Sequence, residues 1–196
     1  GGDVERCTEE LDHLLRDAVR IRLRSDVPVG VYLSGGLDSA MVTALVREES
    51  TASLRSFSVG FSDPAYDESR WQELLVRHFG TEHTQVLCDH ERICRAFPEV
   101  VRHAEKPLLR TAPAPLFILS QAVRESNRKV VVTGEGADEV LGGYDIFKEV
   151  KIRHFWSRGG ESTPRAQLLR RLYPYMENLQ RQPVGNLRAF FREQPE

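Results

Sequence analysis

Residues 29–39 read Val-Gly-Val-Tyr-Leu-Ser-Gly-Gly-Leu-Asp-Ser, an apolar run that passes straight into a small, glycine-rich turn. Val29 to Leu33 has the β-branched, apolar character of a buried parallel strand, and Leu37, Met41, Ala44 and Leu45 recur at helical spacing after it. Ser34, Gly35 and Gly36 therefore join a strand to a helix. Adjacent glycines let the backbone approach a ligand, and the opening helix turns amide N–H groups and its positive dipole end toward any anion held there. Ser34 and Ser39 add hydroxyl donors. Asp38 is discordant in such a cradle, because a carboxylate repels a phosphate unless a cation such as Mg²⁺ lies between them. The stretch predicts a site for a metal-bound polyphosphate. No lysine follows the glycines, so the Gly-Lys-Ser/Thr ending of a Walker A loop is missing and transfer of a γ-phosphate is disfavoured.

Working outward, Asp3 to about Ser25 carries Val4, Cys7, Leu11, Leu14, Leu15, Ala18 and Ile21 on one helical face, predicting an amphipathic lead-in helix. The strand at 29–33 and a helix to about Glu49 follow. Leu54 to Phe61 reads as a second strand, and Asp63-Pro64 as a turn. Asp67 is placed to cap a third helix, whose inward side is expected to carry Trp71, Leu74, Leu75 and Phe79 and which stops at Gly80. Capping also accounts for Glu68. His83 to Leu87 is a short third strand. Asp89 to Ala104 is helical in pattern, with Pro98 predicting a kink or a break into two helices. Lys106 to Pro115 holds three prolines and is expected to be irregular; Leu116 to Glu125 is helical and Lys129 to Thr133 a continuous apolar strand. Beyond Tyr144 only helical patterns remain, at Ile146 to Trp156, Arg165 to Met176 and Gly185 to Phe191, separated by Gly159-Gly160 and Pro183.

Four alternations of strand and helix predict an α/β fold, a doubly wound parallel sheet with helices on both faces and a helical C-terminal third. Residues 1–150 are expected to form the core and 151–196 a helical continuation of the same domain.

Composition bounds the partners. The 196 residues are 40% hydrophobic and 29% charged with a formal net charge of −2. That balance fits a globular domain, gives no broad basic footprint for nucleic acid, and holds no run long enough to span a bilayer. Cys7, Cys88 and Cys94 are odd in number and lack metal-type spacing, so they are expected to be reduced, and the cytoplasm is the expected compartment. The six histidines show no ligand spacing. Trp71, Phe79, Phe117 and Trp156 are expected in packing.

The fourth strand ends in Thr133-Gly134-Glu135-Gly136-Ala137-Asp138-Glu139, with Gly142-Gly143-Tyr144 close behind. This is a second glycine-rich turn bearing carboxylates. Ligands of open doubly wound sheets bind beyond the carboxyl ends of the strands, where the strand order reverses. An order of 3-2-1-4 would put both loops at that switch point, with Asp38 and Asp138 for metal and Glu135 available for proton chemistry.

Ser34-Gly35-Gly36-Leu37-Asp38-Ser39 resembles the PP-loop of the ATP pyrophosphatases, which cleave ATP to AMP and pyrophosphate. Together with Gly-Glu-Gly-Ala-Asp-Glu at 134–139, the trailing Gly142-Gly143-Tyr144, Val27-Pro28-Val29-Gly30, the run 56–61 and Tyr66-Asp67-Glu68, the chain resembles the synthetase domain of glutamine-hydrolysing asparagine synthetases. The resemblance implies that aspartate and ATP form β-aspartyl-AMP and pyrophosphate, and that ammonia then displaces AMP to give asparagine. It implies that Ser34, Gly35, Gly36, Asp38 and Ser39 hold pyrophosphate and Mg²⁺ with Asp138. Leu33 and Val59 would contact adenine largely through backbone, and Thr133-Gly134 would lie along the AMP, Thr133 standing where a serine is usual. Glu135 would take a proton from the attacking ammonia, the alternative being a helix-start carboxylate favoured by the dipole. Arg110 is a candidate for a substrate carboxylate, with Lys106 as ambiguous, the alternative being a solvated loop side chain.

Members of that family generate ammonia in an N-terminal glutaminase domain with an N-terminal cysteine nucleophile. Here Gly1 comes first and Cys7 falls in a predicted helix, so that domain is not expected within these residues. The family also supplies a lysine beyond the second loop, and no segment before Glu196 matches it. Nucleotide binding is therefore expected of this stretch more readily than turnover, and a homodimer of the full-length protein. A related PP-loop amidotransferase, a β-lactam synthetase-like enzyme and a non-catalytic nucleotide-binding module are the other readings of the same loops.

Overall fold

A computed structural model describes residues 3–50, 52–157 and 167–191, apart from the side chains of Trp156 and Ser157. The expected packing of Trp156 and the break at Gly159-Gly160 lie outside the described residues. The chain divides into two compact units, Gly1–Gly134 and Glu135–Glu196.

The first unit is built on four parallel strands, β1 (Val29–Tyr32), β2 (Arg55–Phe61), β3 (Glu82–Cys88) and β4 (Val130–Val132), in the order β3-β2-β1-β4. This is the expected order, with the switch point between β1 and β4. Helices cover both faces. Side chains alternate along each strand, so Val31 and Val132 join α1 (Val4–Arg22) and α2 (Leu37–Glu49) through Val19, Leu45 and Val46 on one face. On the other face Phe57, Val86, Cys88 and Val131 meet Ile118, Leu119 and Val123 of α5 (Pro113–Glu125) and Ile93 of α4 (His90–Ala104). Gly30 is required by this packing, because a Cβ there would lie 2.9 Å from the Phe57 ring. Arg16 with Glu48, and Arg20 with Glu49 through two bonds of 3.1 Å, tie α1 to α2.

Several helical faces differ from the periodic reading. On α1 only Val19 is buried, with Leu15 and Leu23 partly so, while Val4, Cys7, Leu11, Leu14 and Ile21 are exposed. On α2 Leu37 and Met41 are exposed while Leu45 is buried as expected, and the covered stripe is Ser39, Val42, Thr43, Leu45 and Val46. On α3 (Ser69–Phe79) Trp71 and Leu74 are exposed, and the covered stripe is Gln72, Leu75, Val76 and Phe79. Apolar spacing identifies residues that share a face; it does not say which face the sheet covers. α4 runs as one helix through Pro98, held at its start by the Asp89 carboxylate on the Arg92 N–H at 2.7 Å. α5 begins at Pro113, inside the stretch expected to be irregular, because proline at the first helical position gives up no intrahelical hydrogen bond.

The second unit contains α6 (Ala137–Leu141), α7 (Asp145–Ser157), a 3₁₀ turn (Gln167–Arg171), α8 (Glu177–Gln180) and α9 (Val184–Phe191). The expected helix from Arg165 to Met176 is instead this short 3₁₀ turn followed by irregular chain, its first two residues lying outside the described residues. Leu169, Leu172, Leu187 and Phe191 form its core, with Ile152 and Leu179 against them. The Tyr173 hydroxyl donates to Glu149, a bond that pushes the phenol up to about 12. Among the described residues no helix is long and apolar enough to cross a membrane.

Candidate functional site

The turn at 34–39 leaves β1 between two helices and is locked by its own hydroxyls. Gly35 has φ +94°, and a Cβ there would lie 3.1 Å from the Trp71 Cβ, so conformation and packing both require glycine. The Ser39 Oγ donates to the Gly36 carbonyl at 3.0 Å and accepts from the Ser34 N–H at 3.2 Å. It also lies 3.0 Å from the Ser34 Oγ, which accepts from the Gly36 N–H at 3.3 Å. The two serines thus hold the turn in shape before any ligand arrives. Gly36 is the N-cap of α2 with no side-chain cap, and Asp38 stands in the first turn beside the helix start. A helix N-terminus left uncapped by side chains, reached through glycine, is suited to an anion.

The second loop meets the first at Gly134. A Cβ on Gly134 would lie 3.1 Å from the Asp38 carbonyl carbon, the Asp38 Cβ and the Ser39 nitrogen. The pairing of β1 with β4 through Val31 and Val132 explains this approach, since both chains leave the sheet at adjacent strand ends. Leu33 is wholly buried and its N–H donates to the Phe57 carbonyl at 2.9 Å, which leaves its carbonyl as its remaining polar group at the end of β1. Val59, one strand over, is half-buried. Thr133 is likewise half-buried after β4.

Glu135 and Asp138 belong to the second unit. There Gly142 ends α6 in the left-handed region, and the Gly143 N–H donates to the Asp138 carbonyl at 3.0 Å. The Asp138 carboxylate lies over Gly143, where a Cβ would come within 1.9 Å of its Oδ1. The Tyr144 hydroxyl donates to Glu139 at 3.2 Å, and that bond, with the Glu139, Asp138 and Glu135 charges, raises its pKa. Among the described residues no three His, Cys, Asp or Glu side chains form a cage for a metal ion. One or two carboxylates plus substrate phosphates suffice for Mg²⁺, and a carboxylate seated over a glycine fits that donor set. Lys106 and Arg110 are exposed on the loop before α5. Asp67 receives the Ser69 Oγ at 2.6 Å and the Ser69 N–H at 3.3 Å, one residue ahead of the N-cap position, and these bonds lower its pKa.

The periodic reading missed Gln72. It is 3% exposed, and its Nε2 donates to the carbonyls of Val59 at 2.9 Å and Ser34 at 3.3 Å. Its Oε1 accepts from the Ser58 Oγ at 2.8 Å and the Gln85 Nε2 at 2.9 Å. Behind Ser58, His83 lies with Nε2 3.0 Å from the Ser58 Oγ and Nδ1 2.8 Å from the Ser56 Oγ, and burial lowers its pKa. Because Ser58 gives its proton to Gln72, His83 must donate from Nε2 and accept at Nδ1 when neutral. The signal for this network was in the strands. Ser56 and Ser58 in an apolar parallel strand, facing His83, need buried partners.

Residues 10–196 match the asparagine synthase family. The chain is 34% identical over 75% of its length to asparagine synthetase [glutamine-hydrolyzing] 1 of Bacillus subtilis, covering 23% of that protein. It is 36% identical over 74% of its length to amidase chyE of Penicillium rubens, covering 24% of that one. It thus spans about a quarter of the length of the curated relatives it matches. Among solved structures, the U34-tRNA thiolase NcsA of Methanococcus maripaludis superposes with a TM-score of 0.50 at 16% identity, over 95% of this chain and 66% of that one, a likeness of fold. With 187 of its residues inside the family's match, two glycine loops at adjacent strand ends and relatives of this kind, the chain belongs to the asparagine synthase family.

Proposed function

We propose that this chain is the nucleotide-activating part of an AMP-forming amide ligase, with aspartate as the acceptor and ammonia as the nucleophile. The observation that carries the reading is the contact of the two loops, Gly134 against the backbone of Asp38 and Ser39. On this reading the α-phosphate of ATP lies where the pyrophosphate cradle and the AMP-side loop touch, and the Gly134 contact supports it. A carboxylate oxygen of aspartate attacks the α-phosphorus, the bond to the β-phosphate oxygen breaks, and pyrophosphate leaves. Ammonia then attacks the acyl carbon, AMP departs, and Glu135 takes a proton from the nitrogen. Ser34, Gly35, Gly36 and Ser39 hold the departing pyrophosphate through amide and hydroxyl groups, and Thr133 and Gly134 line the AMP. Asp38 and Asp138 would hold Mg²⁺, which when bound supplies charge neutralisation for the phosphates. Arg110 is the candidate for the acceptor's carboxylate.

A second reading follows from the likeness to amidase chyE: the same adenylation with a different carboxylate or amine. One experiment separates them. Pyrophosphate release by the full-length protein is measured with ATP, Mg²⁺ and aspartate against a panel of other carboxylates. Aspartate-dependent release, abolished by Asp38→Ala, is the expected result; release with another carboxylate alone moves the reading to the second, and release unchanged by Asp38→Ala removes the metal assignment. Glu135→Ala should retain adenylation and lose amide formation.

A further inference from the structure

The register of β1 with β2 runs out at Tyr32 and Phe57, with one further bond from the Leu33 N–H to the Phe57 carbonyl. Past that point the two strand ends have no ladder to hold them at a fixed separation, and this is where a ligand crevice opens in such sheets. Gln72 occupies that gap. Its two N–H bonds go to Ser34, the first residue of the phosphate turn, and to Val59, so one side chain spans both strand ends.

The amide has no freedom left. Both donors and both acceptor positions are used, the oxygen side being fixed by Ser58 and Gln85. Gly60 leaves room for this, since a Cβ there would lie 3.0 Å from the Gln85 carboxamide carbon. The rest of the covered stripe of α3 is apolar, Leu75, Val76 and Phe79, while position 72 faces the polar side chains of Ser58 and Gln85. The carboxamide oxygen satisfies Ser58 and Gln85; what its two N–H groups add is a hold on the carbonyls of Ser34 and Val59 together.

We propose that Gln72 is a positioning residue of the nucleotide site: by bridging Ser34 and Val59 it sets the distance between the phosphate turn and the β2 end, and so the fit of one adenine nucleotide across them. The inference rests on the reading of this crevice as an ATP site. Gln72→Met keeps the length and removes the donors; Gln72→Glu keeps the shape and turns carboxylate oxygens toward two carbonyls.

The test uses the full-length protein, with equilibrium binding of ATP and pyrophosphate release measured side by side. Both variants are expected to raise the Kd and KM for ATP by about tenfold, with kcat and the KM for the carboxylate substrate within about twofold of wild type. A purely structural role would lower the active fraction and leave KM for ATP where it was, and that result, like no change at all, overturns the proposal. Should Gln72→Met not fold, Gln85→Ala replaces it, because Gln85 is exposed yet fixes the Gln72 oxygen. A rise in Kd for ATP of about twofold is expected there, and an unchanged Kd overturns the proposal. A wild-type protein that binds ATP without releasing pyrophosphate sinks the ligase reading and leaves the Gln72 effect on Kd to decide this one. A protein that does not bind ATP sinks both.

Discussion

Gly134→Ala tests the meeting of the two loops at its tightest point. The added methyl would stand 3.1 Å from three atoms, the Asp38 carbonyl carbon, the Asp38 Cβ and the Ser39 nitrogen, where ordinary contact begins near 3.4 Å. All three lie on the phosphate turn or the first turn of α2, and two are backbone, so no rotamer change relieves the contact. Either β4's exit or the turn must retreat by about 0.3 Å. Overpacking of this kind costs about 1–3 kcal/mol. If the displacement is taken up by the turn, the loss falls on ligand binding, and at about 1.4 kcal/mol per decade the Kd for ATP rises by about fivefold to a hundredfold. The assay is equilibrium binding of ATP–Mg²⁺ to the full-length protein, with far-UV circular dichroism and the thermal midpoint followed on the same samples. A lowered midpoint with an unchanged Kd would refute the reasoning, because it would mean that the strain falls elsewhere and that Gly134 serves packing alone.

Two further outcomes are expected. Gly143→Ala places a methyl 1.9 Å from the Asp138 Oδ1, so the carboxylate must swing away; the Mg²⁺ concentration needed for half-maximal pyrophosphate release should rise by about tenfold or more, and an unchanged Mg²⁺ curve would remove Asp138 from the metal. Burial holds His83 below its ordinary 6.5, so below that pH the unfolded chain takes up a proton that the folded chain resists. Stability contributed by His83 is therefore complete above 6.5 and declines as pH falls toward the lowered folded value; urea midpoints between about pH 8 and about pH 5 should fall less in His83→Gln than in wild type.

The strands and their order were legible because β-branched runs such as Val29 to Leu33 and Val130 to Val132 have few other ways to be buried, and because two glycine loops on strand ends need the switch point between them. The strand-to-helix turn at 34–39 was legible too: positive φ at Gly35 and the close approach at Gly134 leave glycine as the residue that fits. Helix faces were less so. Of the four residues expected inward on α3, Leu75 and Phe79 are partly covered while Trp71 and Leu74 are exposed, and Gln72 turns inward because the sheet side chains opposite it are polar.

That polar surface shows where pattern reading stops. Along β2 the alternation sends Phe57 to the apolar layer and Ser56 and Ser58 to the α3 side, where His83 and Gln85 of β3 stand beside them. A solvent-exposed serine face and a buried hydrogen-bonded one look identical in sequence, since both read as apolar and polar residues in turn. They differ in consequence. Deleting a single member of a buried chain leaves its neighbours unpaired at about 1–3 kcal/mol each, so the residues of such a chain must be present together or not at all. Ser56, Ser58, His83, Gln85 and Gln72 are all present, and the chain they form ends on the carbonyls of Ser34 and Val59. If Gln72 positions the turn at 34–39 as proposed, this layer serves the site as well as the core, and removing its inner members should weaken nucleotide binding along with stability.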